Sequence, residues 1–378
     1  MAPSLDKRMK RLLFLLLFLL IALSSCGDAF TPTSPIGPID SPTSSPQPRP
    51  LPYSMAKGKF KENSLPQANS GLMRPAIDHK GRIWFGEMNR NLLGVFDPAT
   101  GKFQQFSPPH GKFGIMGVAV AVDDTIWFAE QYADYIGHFM PATGQFQVYP
   151  LPTTTAPDPS NPGKMLTLPS APNDLAIDQQ GNIWFTELNA SAIGELHPSN
   201  GSIQHFPLPT QKNKQSFNPY GIAVDPHGNI WFTTASSSFV GELNPSNGQI
   251  RQFTVPNLSN SLMEIASAPD GTIWATGFNA GLLLQLHPDT GTIATYYAPS
   301  PNGDNTGGLY GIAITPAGQV WLTIPAINVI ARLDTATHRF VYYSIPTTNS
   351  LPLGIVIGKN NTFWFTEAGS DKIGMLQI

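Results

Sequence analysis

At 378 residues the chain has room for one large domain or two ordinary ones. Charged residues make up only 12%, while glycine (34) and proline (37) are abundant. That mixture excludes a protein of long helices and fits many short strands joined by tight turns. The formal net charge is −3 and no block of Lys or Arg lies beyond residue 11, which argues against nucleic acid as a partner.

In chain order, Lys7, Arg8, Lys10 and Arg11 precede an apolar run from Leu12 to Leu23, followed by Ser24, Ser25, Cys26 and Gly27. A basic start, a short apolar core and small residues form an export signal, too short to span a bilayer comfortably. The Leu-Ser-Ser-Cys ending resembles a bacterial lipobox, which implies that Cys26 carries lipid and anchors the chain outside the cytoplasm. An ordinary secreted signal is the alternative. Cys26 is the only cysteine, so the exported domain is expected to be stable without disulfides. Residues 27–56 are rich in Pro, Ser and Thr and read as an extended tether. The membrane is therefore a partner only through the anchor.

From there on, repeats organise the chain. All seven tryptophans sit in one motif, at Trp84, Trp127, Trp184, Trp231, Trp274, Trp321 and Trp364, each after a β-branched or aromatic residue. Around Trp231 the unit is clearest: Gly221 to Asp225, a turn at His227-Gly228, Ile230 to Thr233, Val240 to Leu243, a turn at Asn247-Gly248, then Ile250 to Pro256. Four short strands per unit, apolar on both faces, fit blades packed against neighbours on either side. Six Trp-to-Pro spans, from Trp84–Pro109 to Trp321–Pro346, are all 25 residues, whereas the return from Pro to the next Trp varies from 18 to 32. Length variation thus falls in one class of loop. The seventh unit stops after its third strand, and Phe60 to Pro66 matches the missing fourth. These observations predict an all-β, seven-bladed propeller over 57–378, its last blade closed by an N-terminal strand, expected as a monomer.

In such a ring, the residues ten or eleven before each Trp and three after it are expected around one mouth. Three after the Trp, Glu367, Glu87, Glu130 and Glu187 fall on four consecutive blades. Arg74 and Asp174 stand beside this acidic arc, Tyr220, Met263, Phe278 and Tyr310 belong to the opposite side, and Glu264 is a further mouth position. Clustered carboxylates suit a divalent cation, Mg²⁺ or Ca²⁺, or a cationic group, and the aromatic side suits a ring system. The plainer alternative is that the glutamates are strand-end residues recurring with the repeat. Only His110 is expected on the mouth face, and no histidine is expected near the glutamates. A histidine base or zinc site therefore has no support in the pattern, nor has a cysteine or Gly-x-Ser-x-Gly nucleophile.

The repeat, roughly Pro-x-Gly-Ile-Ala-x-Asp-x-x-Gly-x-Ile-Trp-Phe-Thr-Glu followed by Ile-Gly, resembles the streptogramin B lyase (virginiamycin B lyase) family over nearly all of 59–378. The resemblance implies a seven-bladed propeller and, for the lyases, opening of a cyclic depsipeptide by elimination with Mg²⁺ and a histidine base. Where that family has its histidines, this chain has Tyr310 and Leu353; where it has metal-binding glutamates, it has Leu351 and Ala368. Glu367 is one position away, which turns it to the other face of a strand. The expectation is an envelope propeller that binds a small molecule, glycan or peptide at its mouth without the family's chemistry. A divergent metal-dependent lyase or lactonase-like hydrolase is one alternative. An interaction scaffold using the long loop from Thr153 to Pro172 is another.

Overall fold

The computed structural model describes residues 53–110, 114–157, 163–209, 217–256, 261–279, 281–300 and 308–378. The expected signal, Cys26 and nearly all of the expected tether lie outside these residues. Seven antiparallel sheets follow one another along the chain, each with its first strand next to the axis and its fourth outermost. Blade one is typical: Leu72–Ile77, Ile83–Glu87, Leu92–Asp97 and Lys102–Phe106. Blade seven takes its outer strand from the start of the domain, Lys59–Ser64 against Lys372–Gln377, with Phe60 opposite Leu376 and Glu62 opposite Gly374. The ring thus closes as the repeat predicts. Blade six gains a fifth strand that the repeat does not foretell: Tyr53–Met55 runs parallel to Arg339–Ser344. Those three residues fall inside the expected tether, and Tyr53 stacks on Tyr342 with ring centroids 5.1 Å apart. The expected scaffold loop forms a hairpin, Thr154–Pro157 with Met165–Leu168, and Met165 is 59% exposed.

Packing within a blade follows a size rule between strands two and three. In blades one to four and seven, the Phe after the Trp lies opposite a glycine: Phe85/Gly94, Phe128/Gly137, Phe185/Gly194, Phe232/Gly241 and Phe365/Gly374. A Cβ on those glycines would lie 2.0–2.3 Å from the ring, well inside van der Waals contact. Space decides these positions, not backbone freedom. Blades five and six reach the same filled volume another way, with Ala275 opposite Leu284 and Leu322 opposite Ala331, all four fully buried.

Between blades, threonine hydroxyls two residues after the Trp act as staples. Thr186 accepts from the Asp174 N–H (3.1 Å) and donates to the Tyr220 carbonyl of the next blade (2.9 Å). Thr276 bridges the Glu264 N–H and the Tyr310 carbonyl, and Thr323 bridges the Gly311 N–H and the Leu353 carbonyl, in the same way. Each satisfies a strand-edge donor and an acceptor that face the axis and have no ladder partner. On the opposite face, an aspartate six residues before the Trp clasps three blades. Asp78, Asp178 and Asp225 each accept the indole N–H of their own tryptophan at 2.9 Å, and cap the backbone N–H of the residue four positions on.

Candidate functional site

Ten residues before the Trp, the chain alternates bulk and emptiness around the axis. Blades one, three and five carry Arg74, Asp174 and Glu264; blades two, four, six and seven carry Gly117, Gly221, Gly311 and Gly354. The axis has no room for more: a Cβ on Gly311 would sit 2.2 Å from the Leu353 carbonyl oxygen, and one on Gly354 would sit 2.3 Å from Pro75. The three charged side chains therefore meet. Arg74 Nε donates to Glu264 Oε2 at 2.7 Å, its Nη2 lies 2.6 Å from Oε1, and Nε lies 3.5 Å from Asp174 Oδ1. Asp174 also accepts from the N–H groups of Leu175 (2.9 Å) and Ile222 (3.1 Å). All three are at least nine-tenths buried. Burial raises the pKa of Glu264 and Asp174 and the guanidinium pulls both back, while for Arg74 the two carboxylates outweigh burial and hold it charged.

Above this plug lies the mouth floor. Met73, Met88, Met116, Tyr220, Ala235, Met263 and Tyr310 form one buried cluster, with Leu188, Phe278 and Leu353 packed against it. The Tyr220 and Tyr310 hydroxyls meet at 2.7 Å, and the Arg74 guanidinium lies 5.0 Å from the Tyr220 ring centroid. The expected aromatic arc is present, and it joins methionines rather than facing carboxylates.

The acidic arc does not form. Glu87, Glu130, Glu187 and Glu367 are each fully buried inside their own blade. Strand alternation explains this: the residue three after the Trp shares a face with the Phe one after it, so four after the Trp (Met88, Leu188, Ala235, Phe278) reaches the floor instead. Each glutamate leans over the strand-three glycine toward the strand-four residue opposite that glycine, and this residue differs from blade to blade. Gln105, opposite Gly94, donates to Glu87 at 2.5 Å. His205, opposite Gly194, lies 2.7 Å from Glu187, so a histidine does reach this set, contrary to the pattern-based expectation. It got there because an outer-strand side chain crosses a glycine and meets nothing in between. In blade two the residue is Val148, which offers Glu130 no hydrogen bond, and burial, opposed only by the backbone N–H groups of Ala133 and Tyr132, pushes its pKa up to about 8. In blade seven it is Glu62, and burial together with this second carboxylate pushes Glu367 up to about 8. Among the described residues, no group of three or more His, Cys, Asp or Glu could hold a metal.

The places where the resemblance puts lyase machinery are brought together but hold none of its chemistry. The Ala368 N–H donates to the Leu351 carbonyl (3.1 Å), yet neither side chain has a ligand atom. Leu353 packs on the floor, and Tyr310 spends its hydroxyl on Tyr220. These residues do not fit the Mg²⁺ that the resemblance implies.

Fold and site together define a seven-bladed propeller with a charge-plugged axis and an apolar, methionine-rich mouth. The chain belongs to the virginiamycin B lyase family, whose sequence profile matches residues 161–378. It is similar to the solved virginiamycin B lyase from Staphylococcus aureus at 25% identity, TM-score 0.74, over 85% of this chain and 100% of that one. A streptogramin B lyase structure is similar at 26% identity, TM-score 0.73, over 85% and 97%. A catalytically inactive His-to-Ala variant of the S. aureus enzyme with quinupristin is similar at 25% identity, TM-score 0.73, over 85% and 100%. Comparison with curated proteins gives no match.

Proposed function

We propose that this protein is a lipid-anchored propeller of the cell envelope that holds a small molecule or peptide against its mouth, without the family's metal-and-histidine elimination. The apolar floor carries this reading: partly exposed Phe278 and Leu353 on a buried bed of Met73, Met116 and Met263 suit a ligand with an apolar or ring-bearing face, and suit a glycan poorly. The S. aureus relative solved with quinupristin supports a ligand-taking propeller in this family. The loss of elimination chemistry is supported by Leu351, Leu353, Tyr310 and Ala368 standing where the resemblance places the metal ligands and the base.

Quinupristin is the first probe. Saturable binding is expected, weakened at least tenfold by Leu353→Glu, with the ligand recovered intact by mass spectrometry after overnight incubation with Mg²⁺. A ring-opened product overturns the non-lyase half. Failure of quinupristin and of a panel of apolar cyclic peptides to bind in a Leu353-dependent way overturns the binding half. The anchor is tested by palmitate labelling of the full chain, which Cys26→Ser should abolish while releasing the protein from the membrane.

A further inference from the structure

Far from the mouth, blades two, five, six and seven lack the aspartate clasp, with Ala121, Ala268, Thr315 and Gly358 in its place, and among the described residues blade six is where this leaves a buried indole N–H without an acceptor. Thr315 stands six residues before Trp321, and its hydroxyl accepts the Gln319 N–H at 3.0 Å. That is half of what Asp78, Asp178 and Asp225 do; the hydroxyl does not take the indole N–H. Trp321 is 1% exposed, and its Nε1 is buried with no acceptor. Beside it, the Arg332 guanidinium lies 5.9 Å from the indole centroid, and its buried Nε is also without a partner. Both residues line a groove of about 400 Å³ between blades six and seven, with Pro316, Ala317, Phe363 and Ile378 as its apolar wall.

Blade one shows what such a donor pair takes. There an Arg82 guanidinium, 5.3 Å from the Trp84 centroid, and the Trp84 N–H both donate to one oxygen of Asp78, at 2.6 and 2.9 Å. A buried indole N–H and a buried guanidinium Nε with no acceptor are costly to fold around, and a carboxylate satisfies both at once with charge-assisted bonds. We propose that the groove between blades six and seven binds a small amphiphilic monocarboxylate. Its carboxylate takes the place that Asp78, Asp178 and Asp225 fill in their own blades, and its apolar body lies along Phe363, Pro316 and Ala317. Because the indole N–H is covered, binding requires the long Arg332 side chain to swing from the indole onto the carboxylate. The volume suits a ligand of modest size. This site lies on the face opposite the mouth and does not depend on the reading of the mouth.

The test uses the full domain with ¹⁵N-labelled tryptophan, 4-phenylbutanoate as probe and 4-phenylbutanamide as the uncharged control, with the indole signal assigned through Trp321→Phe. The Trp321 N–H signal should move saturably with the carboxylate, and the amide should bind at least tenfold more weakly. Thr315→Asp supplies the aspartate that three other blades already accommodate. It should abolish the response and raise Tm by a few degrees. Arg332→Met should weaken binding at least tenfold, and it keeps the proposal testable if Thr315→Asp misfolds. No movement of the Trp321 signal, an equal response to the amide, or undiminished binding in both variants overturns the proposal.

Discussion

Two sets of buried charge, drawn from the same end of the blades, behave in opposite ways. The three axial groups, Arg74, Asp174 and Glu264, come from alternate blades and meet across the ring. The four strand-end glutamates come from consecutive blades, yet each faces a strand-four residue of its own sheet rather than the axis: Gln105, Val148, His205 or Glu62. A position that repeats around a ring serves the blade that carries it. A position where the repeat is broken, by a charge among glycines, is free to serve the ring as a whole.

The largest effect should come from breaking the axial set. Arg74→Met leaves two carboxyl groups buried without their cation and should cost about 3–5 kcal/mol in urea denaturation. Adding Asp174→Asn and Glu264→Gln should recover most of it. Additive costs would show that the three groups do not act as a unit. By contrast, Glu130→Gln and Glu367→Gln should combine additively, because nothing joins their blades' interiors.

A smaller effect separates the glutamates by pH. Glu130 and Glu367 have folded-state pKa values of about 8, above the unfolded value, so each favours the folded state fully at low pH and that contribution is lost as pH rises through 8. Each Gln variant should therefore match the parent near pH 4 and exceed it by about 1–3 kcal/mol at pH 9. Denaturation midpoints from pH 4 to 9 check this, and a constant difference across that range would contradict the assignment.

The smallest effect belongs to blade three. The hydrogen bond to Glu187 raises the His205 pKa, so the ion pair's contribution is fully present below the ordinary histidine range and fades as pH climbs through the raised value. His205→Gln installs the arrangement of blade one, Gln105 on Glu87. Its cost should be about 0.5–1 kcal/mol near pH 5.5, vanishing by pH 9. An NMR titration placing His205 below the ordinary histidine pKa would refute the pairing.

The sequence alone determined the ring. Seven Trp motifs, a constant span from Trp to Pro and a displaced copy of the fourth strand at Phe60 to Pro66 are local or periodic signals, and a propeller is the way such units bury both faces. It also set Arg74, Asp174, Glu264, Tyr220 and Tyr310 at the mouth positions of their units, and the family resemblance implied that Tyr310, Leu353, Leu351 and Ala368 stand where the lyases have their histidines and glutamates. Tertiary structure alone decided where those residues meet. Arg74 and Glu264 are 190 residues apart, and only closure of the ring with glycines in the intervening blades brings them within 2.7 Å. The same holds for Tyr53–Met55 beside blade six, for His205 reaching Glu187 over Gly194, and for the unclasped Trp321. Each depends on which residue lies across a strand or across the axis, and spacing along one chain carries no record of that until the sheets are paired.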